Sequence, residues 1–501
     1  MKKLFAILCA LIALTLIAFG CKDKPQETEG YYRLFASHIA PTSAEKTDLF
    51  GYTFESFLSR GYVLISATQE DNTLYGVVDA EENTLLFEPI YADVKMVGDF
   101  FLLSPGSDNG GYRVASRKGT ILSNTPEEPV IEDIGQGYVS VATGSRSIVY
   151  DANGAEALAS NLMNADYEYT ACGNFMIACD SVKGNYQVFN LHTGEVKLSL
   201  YPAAGTTISL YYAGGNDFIA IYDVERDSEG NYDYTMQFGD GSTAHLKQTI
   251  YRMTIGVESN HILPIKSFVA SLTNRYSYGR TEADREAYPI QDSYFTMGIY
   301  NVTDKVADGR IRYVVTDASL NVLTELPDGI RPDTNATDGY FLSGLQSSSV
   351  RLYNGKLENV LTFSDGPYHS AVLSDGVIVL CKLINGSPLY SAVDTNGTTL
   401  IDYKYSYLSA FISGKAIGVR DRKSYLVGKD GSEVYLADNA YPYYWDGYYE
   451  RTENGRIGLN SYNGTLLIPA SYEAVESYTR SGDTVYVAMK IGNAVDVYKL
   501  H

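Results

Sequence analysis

The feature that most constrains this chain is a phrase it states twice. Residues 74–94 read as a strand over 75–79, a polar turn over 80–83 and a second strand over 84–87, followed by Pro89 and an aromatic re-entry at Tyr91. β-Branched and aromatic residues around an Asp/Asn/Gly-type turn are the short-range signature of a β-hairpin. Residues 456–475 return to the same order: Ile457-Gly458, Asn460, a turn at Asn463-Gly464, an apolar triplet, Pro469 and Tyr472. One hairpin cannot bury its apolar face alone, so a chain of recurring hairpins must stack them or close them into a ring.

Turn chemistry extends the repeat beyond these two copies. Hairpin turns are expected at Glu82-Asn83, Lys118-Gly119, Asn153-Gly154, Thr193-Gly194, Leu320-Asn321, Asn354-Gly355, Asn396-Gly397, Asp430-Gly431 and Asn463-Gly464. The Asn-Gly and Asp-Gly pairs suit a type I′ turn, in which both central residues need positive φ. Successive turns lie roughly 33 to 42 residues apart, the spacing of propeller blades or solenoid coils. Apolar strands precede the hairpins at 61–67, 138–142, 175–178, 218–222, 377–383 and 416–419, so each unit holds three or four strands. The regular spacing fails between 203 and 313. There, residues 267–279 and 282–288 read as loop with one short helix.

The expected fold is therefore all-β: tandem hairpin or blade repeats of about 40 residues, propeller-like, with an open β-solenoid as the alternative. The expected organisation is a first set of repeats over 31–257, an irregular insertion over 258–293 and a second set over 294–501. About five units on each side leave open two lobes or one large ring, since a single ring usually has four to eight blades. A ring would pair its terminal edges, which makes residues 485–490 and 494–500 structurally required.

The phrase resembles the WG repeat of bacterial proteins: a Trp-Gly pair, an apolar strand ending in Asp, a Gly turn, an apolar run, Pro and Tyr. Tyr75-Gly76 stands where Trp-Gly would stand, and Asp79, Pro89 and Tyr91 follow in order. Ile457-Gly458, Asn460, Asn463-Gly464, Pro469 and Tyr472 match in the second copy. Neither copy contains the chain's single Trp. The resemblance implies a tandem all-β repeat protein, and the family has no common activity to transfer.

The N-terminus carries an address. Lys2 and Lys3 precede an apolar run over 4–19, and Ala18-Phe19-Gly20-Cys21 has the form of a lipobox. Sixteen apolar residues fall short of the roughly 20 that span a bilayer. Residues 1–20 are thus expected to be a lipoprotein signal peptide, with Cys21 the lipidated residue. Two or three acyl chains there would give stable anchoring. Residues 21–30 would be a flexible tether, and the mature protein would sit at the cell membrane or outer surface, lipid-anchored and extracytoplasmic.

Removing residues 1–20 takes away Lys2 and Lys3 and no acid, so the formal charge moves from −21 to −23. Phosphate attraction needs clustered Lys and Arg, so nucleic acid is not an expected partner. Cys172, Cys179 and Cys381 remain beyond the signal and Cys21; an odd number without CxxC spacing indicates neither a disulfide framework nor zinc. They read as small buried residues.

Among chemical candidates, no nucleophile elbow, P-loop, zincin helix or dinucleotide fingerprint occurs, and six histidines are scattered without metal-ligand spacing. No catalytic residue, metal or cofactor is expected. Asp223, Glu225, Asp227 and Glu229 alternate as a calcium loop would, but alternation on a strand also places carboxylates on a solvent face, the favoured reading. The densest aromatic stretch, 441–449, contains Tyr443, Tyr444, Trp445 and Tyr448 as binding candidates. Exposed aromatic faces stack on sugars and anchor peptides, while core packing between blades would account for alternate members. The expected function is a non-catalytic, membrane-anchored binding or scaffold protein of the cell envelope with a protein or glycan partner. The alternative is an envelope polysaccharide or peptidoglycan hydrolase or lyase on a propeller.

Overall fold

Strand follows strand through short hairpins, and the hairpins group into sheets of mostly four antiparallel strands, as in a propeller. The computed structural model describes residues 38–501 apart from 70, 107–109, 145, 158–166, 225–233, 238–242, 259, 264, 266, 275–293, 304–305, 318, 328–337, 339, 344–348, 439–443, 446 and 483. The expected signal segment, Cys21 and the expected tether lie outside the described residues.

The described strands form nine hydrogen-bonded sheets. Two of these each hold two blades, so the described strands make eleven blades in sequence order. The first composite sheet is joined by one long strand, Thr84–Val97. Its first half pairs with Asn72–Asp79 to complete blade 1, and its second half pairs with Phe100–Pro105 to begin blade 2. The second composite sheet joins blades 5 and 6, where Tyr234–Gln237 pairs antiparallel with Thr243–Thr254 and parallel with Val306–Asp317. Blade 8 shows the plain form: Tyr368–Ser374, Val377–Ile384, Ser387–Asp394 and Thr399–Tyr405, in that order.

Each blade is sandwiched between two others, which explains why second strands such as Val377–Ile384 are apolar throughout. Val377 and Val379 face blade 9 while Ile378 and Leu380 face blade 7. An apolar cluster of this kind lies at every junction from blade 1 to blade 11. A further cluster closes the circuit: Phe54, Val63, Ile65 and Val78 of blade 1 pack against Tyr486, Ala488 and Val497 of blade 11. The backbone closes there too. Ala44–Thr47, near the start of the described chain, is the fourth strand of blade 11 and pairs with Ala494–Leu500. The fold is one closed, propeller-like circuit rather than an open solenoid.

The irregular region is partly regular. Phe268–Asn274, expected as loop, is the first strand of blade 6 and pairs with Tyr294–Thr303. Its apolar residues Val269 and Leu272 are buried against blade 5, a tertiary contact that local composition does not reveal. The remainder of the expected loop and short helix, 275–288, lies outside the described residues.

Turn geometry also differs from expectation. At Asp394, Gly397 N–H donates to the Asp394 carbonyl and Asp394 N–H to the Thr398 carbonyl, while only Gly397 takes positive φ. The same pair of bonds recurs from Ser116, Asp151, Asp317, Asn354, Gly428 and Ser461. This is a type I turn followed by one left-handed residue, not a type I′ turn. In four of these seven turns the residue that starts the turn also caps it, while Ser116, Gly428 and Ser461 start the same turn without an Asp or Asn there. The side chains of Asp151, Asp317, Asn354 and Asp394 each accept two backbone N–H groups inside the turn, a local cap available to Asp and Asn.

The repeated phrase has a backbone cause as well. Between Tyr75 and Val77 the partner strand runs from Tyr91 to Phe87, a wide bulge, and the same break recurs between Ile457/Leu459 and Tyr472/Ile468. The bulge throws the fourth strand over the glycine between. A third copy, in blade 8, pairs Tyr390 and Ala392 with Tyr405 and Ile401 and has Ser391 at the glycine's place. Pro89 and Pro469 fall one position apart in this register, so the bulge, rather than the proline, is the common element.

Candidate functional site

Of the aromatic stretch, Tyr443 lies outside the described residues. Tyr444–Trp445 is the first strand of blade 10, with Tyr444 opposite Tyr449 and Trp445 opposite Tyr448. Tyr448 is fully buried, against Leu459, Ile468 and Val487 between blades 10 and 11. Tyr449, one position on, is buried between blades 9 and 10. Tyr448 is therefore a core residue and not a ligand contact: successive residues of a strand face opposite sides, and here both sides are interblade core.

A tyrosine-lined cleft of about 430 Å3 lies beside this strand. Its walls come from four consecutive blades: Ser370, Val372, Val379 and Tyr390 of blade 8, Tyr407, Leu408, Ser409, Ala410 and Ile412 of blade 9, Tyr462 of blade 10 and Tyr478 of blade 11. In circuit order the Tyr444–Trp445 strand falls between the first strands that carry Tyr407 and Tyr478. Tyr462 and Ser409 are buried at the cleft's floor, whereas Tyr478 is 54% and Val372 48% exposed at its rim. The Tyr390 and Tyr407 rings meet at 54° with centroids 5.6 Å apart. Ser409 holds the floor in place by accepting the Ile417 N–H at 2.9 Å. Among the described residues no charged side chain lines the cleft, in a chain with 39 basic and 60 acidic residues.

A larger cleft of about 950 Å3 lies where blades 11, 1 and 2 meet and is densely charged. Arg60 at its edge holds a left-handed backbone (φ 61°), and the next residue must be glycine, because a Cβ on Gly61 would sit 2.4 Å from the Tyr486 ring. The Arg60 guanidinium pairs with the buried Asp99 carboxylate, which Arg117 approaches at 3.5 Å. Burial opposes the charge on Glu81, but bonds from Lys499 and Tyr486 outweigh it and hold its pKa below the usual range. Burial raises Asp79 despite the N–H groups of Glu82 and Glu81 that donate to it. Burial, with Asp79 nearby, pushes the Tyr62 phenol up to about 12. The Arg60–Asp99 pair joins blades 1 and 2, and the bonds of Glu81 to Lys499 and Tyr486 join blades 1 and 11, so the latter brace the closure of the circuit.

Other expected sites resolve simply. Cys172 and Cys381 are buried and Cys179 half-buried, all as free thiols. Asp223 is not on a solvated face: it is half-buried, raised by burial, and accepts the Gln248 amide at 2.7 Å. Glu225, Asp227 and Glu229 lie outside the described residues. Among the described residues no group of three or more His, Cys, Asp or Glu side chains is placed to hold a metal ion.

One carboxyl stands apart. Glu450, next along the strand from Tyr449, is half-buried, and burial alone pushes its pKa from the ordinary 4.5 to about 7. A raised folded-state pKa means the native protein binds the proton more tightly than the unfolded chain. Its stabilisation is therefore present below about pH 4.5 and lost as pH rises through about 7. At about 1.4 kcal/mol per pKa unit the ceiling is about 3 kcal/mol, and solvent screening of a partly exposed group reduces the expectation to about 1–2 kcal/mol. Glu450→Gln should therefore stabilise the protein at pH 8 and not at pH 4.5, read by urea unfolding at both. Equal effects at the two pH values would remove burial of Glu450 as the cause.

No protein-family profile matches the sequence, and no curated protein matches it. Among solved structures, the chain is similar to a crystal structure of the eukaryotic initiation factor (11% identity, 74% of this chain and 96% of that one, TM-score 0.33). It is also similar to KlHsv2 with loop 6CD replaced by a Gly-Ser linker (6%, 67% and 94%, TM-score 0.24). A third is the β-propeller domain of the Trilobed protease from Pyrococcus furiosus, which has an open velcro topology (9%, 77% and 95%, TM-score 0.24). At these scores the likenesses say nothing about what this chain binds.

Proposed function

We propose that this chain is a non-catalytic, lipid-anchored, extracytoplasmic binding or scaffold protein of the cell envelope, built from degenerate WG-like repeats. One observation carries the binding reading: tyrosines from four consecutive blades line a single concave cleft. Pockets dominated by aromatic and apolar side chains with a few polar groups are the default geometry of ligand sites, and loops and strand ends on a rigid scaffold are where binding residues collect. The anchoring reading rests on the lipobox at 18–21.

Two measurements test it. Cys21→Ala should leave the precursor uncleaved and unlipidated, read by mass spectrometry as retention of residues 1–20 without acyl chains; acyl chains on the variant would show that Cys21 is not the anchor. The purified lipidated protein should co-sediment with envelope polymer and release no soluble product. Turnover of polysaccharide, peptidoglycan or ester that one His or carboxylate substitution abolishes would replace the scaffold with a hydrolase or lyase.

A further inference from the structure

We propose that the tyrosine cleft of blades 8–11 is a binding site for a neutral saccharide; this rests on the binding reading above and names its ligand class. The first argument is charge. The chain carries a formal net charge of −21, yet among the described residues no charged side chain lines the cleft. A phosphate, a uronic acid or a charged peptide would enter without a counter-ion, and desolvating an unpaired charge is costly.

The second argument is shape and surface. Pyranose rings present flat C–H faces edged with hydroxyls, and tyrosine offers the complement, an apolar ring face with a polar tip. The Tyr390 and Tyr407 rings, tilted 54° to each other, form an angled wall, and Tyr478 at the rim keeps 54% of its surface exposed. Ser370 brings a hydroxyl to the same wall. The cleft volume of about 430 Å3 suits one or two sugar rings, near the lower end of the roughly 300–1,000 Å3 of small-molecule sites. A proline-rich peptide is the competing occupant for an aromatic groove. It needs an extended trough, whereas this cleft is compact and floored by the buried Tyr462.

The test is titration calorimetry on the full lipidated protein in detergent, with three probes: short neutral hexose and N-acetylhexosamine oligomers, an oligogalacturonate, and a proline-rich peptide. The neutral oligomers should bind, with an affinity that changes less than about twofold between low and high salt, because no charge is screened. Tyr478→Ala should weaken that binding about tenfold or more. Val372→Met, also at the exposed rim, should do the same by filling the cleft without adding charge. Both positions are half-exposed, so melting temperature should hold. Peptide or oligogalacturonate binding that is lost in both variants, without neutral-sugar binding, would overturn the saccharide and keep the site. Binding of any probe that neither variant weakens would overturn both, and no binding by the neutral oligomers overturns the saccharide.

Discussion

A chain cut after residue 493 is expected to lose its single cooperative unfolding transition. Ala494–Leu500 is the strand on which the circuit closes: it pairs with Thr484–Ile491 on one edge and with Ala44–Thr47 on the other. Val497 and Leu500 are fully buried, Val497 in the junction with blade 1 and Leu500 in the junction with blade 10. Each such side chain contributes about 1.5–3 kcal/mol by burial. The two together approach the lower end of the roughly 5–15 kcal/mol by which a domain is stable, before any ladder hydrogen bond is counted. Opening the circuit also changes its physics. A linear array of blades frays from its ends, because each unit is held only by its neighbours. Calorimetry should show a broadened, lowered transition, and limited proteolysis should begin in blades 1 and 11. Val497→Asp should reproduce the effect in part within an intact chain. If both variants unfold with the parent's midpoint and steepness, closure through this strand is not what holds the ring.

A closing role for the C-terminal strands was readable from the sequence, because a ring of hairpins has to hide two edges, and Ala494–Leu500 does pair on both sides. Its partner was not, since nothing about Ala44–Thr47 in isolation marks it as the fourth strand of the last blade. Strands and turn positions were legible for a physical reason: second strands buried on both faces are apolar throughout, and Asp, Asn and Gly punctuate the hairpins. The turn type was misjudged because an Asn-Gly pair fits two geometries, and the backbone bonds that distinguish them reach back to a residue outside the pair. The unit count was hidden where Thr84–Val97 serves two blades and where Tyr234–Gln237 bridges two more.

Legibility was poorest at the candidate site. The stretch around Trp445 draws the eye because its aromatics are contiguous, and contiguity on a strand guarantees that half face each way; Tyr448 and Tyr449 accordingly enter two different cores. The cleft beside it is assembled from Tyr390, Tyr407, Tyr462 and Tyr478. No window of sequence contains them together. In a chain with 44 tyrosines, four at that spacing carry no signal until the blades are stacked.

Gly458→Ala and Gly76→Ala are expected to destabilise the protein by about 2–4 kcal/mol each, at the upper range of overpacking substitutions. Neither glycine needs positive φ. What each needs is an empty place above it. A Cβ on Gly458 would lie 2.4 Å from the Ile468 carbonyl oxygen and 2.6 Å from the Ala470 nitrogen; on Gly76, 2.4 Å from the Phe87 carbonyl oxygen and 2.7 Å from the Pro89 nitrogen. The clashing atoms are backbone held in a ladder, so relief requires the bulged fourth strand to lift, and with it Ile468 or Phe87, both buried in interblade clusters. Blade 8 supplies the internal control. Ser391 occupies the same place in the same bulge and is accommodated at 2% exposure, so Ser391→Ala should cost less than about 1 kcal/mol, the usual range for a swap that removes no packing volume to speak of. Urea unfolding of the three variants separates the cases. Should Gly458→Ala fall within 0.5 kcal/mol of the parent, taken here as about the scatter of neutral surface changes, close approach is not why the repeat keeps its glycine. The alternative would then be that the fourth strand accommodates a side chain there as it does Ser391, and the glycine shared by the two copies would mark ancestry rather than a steric demand.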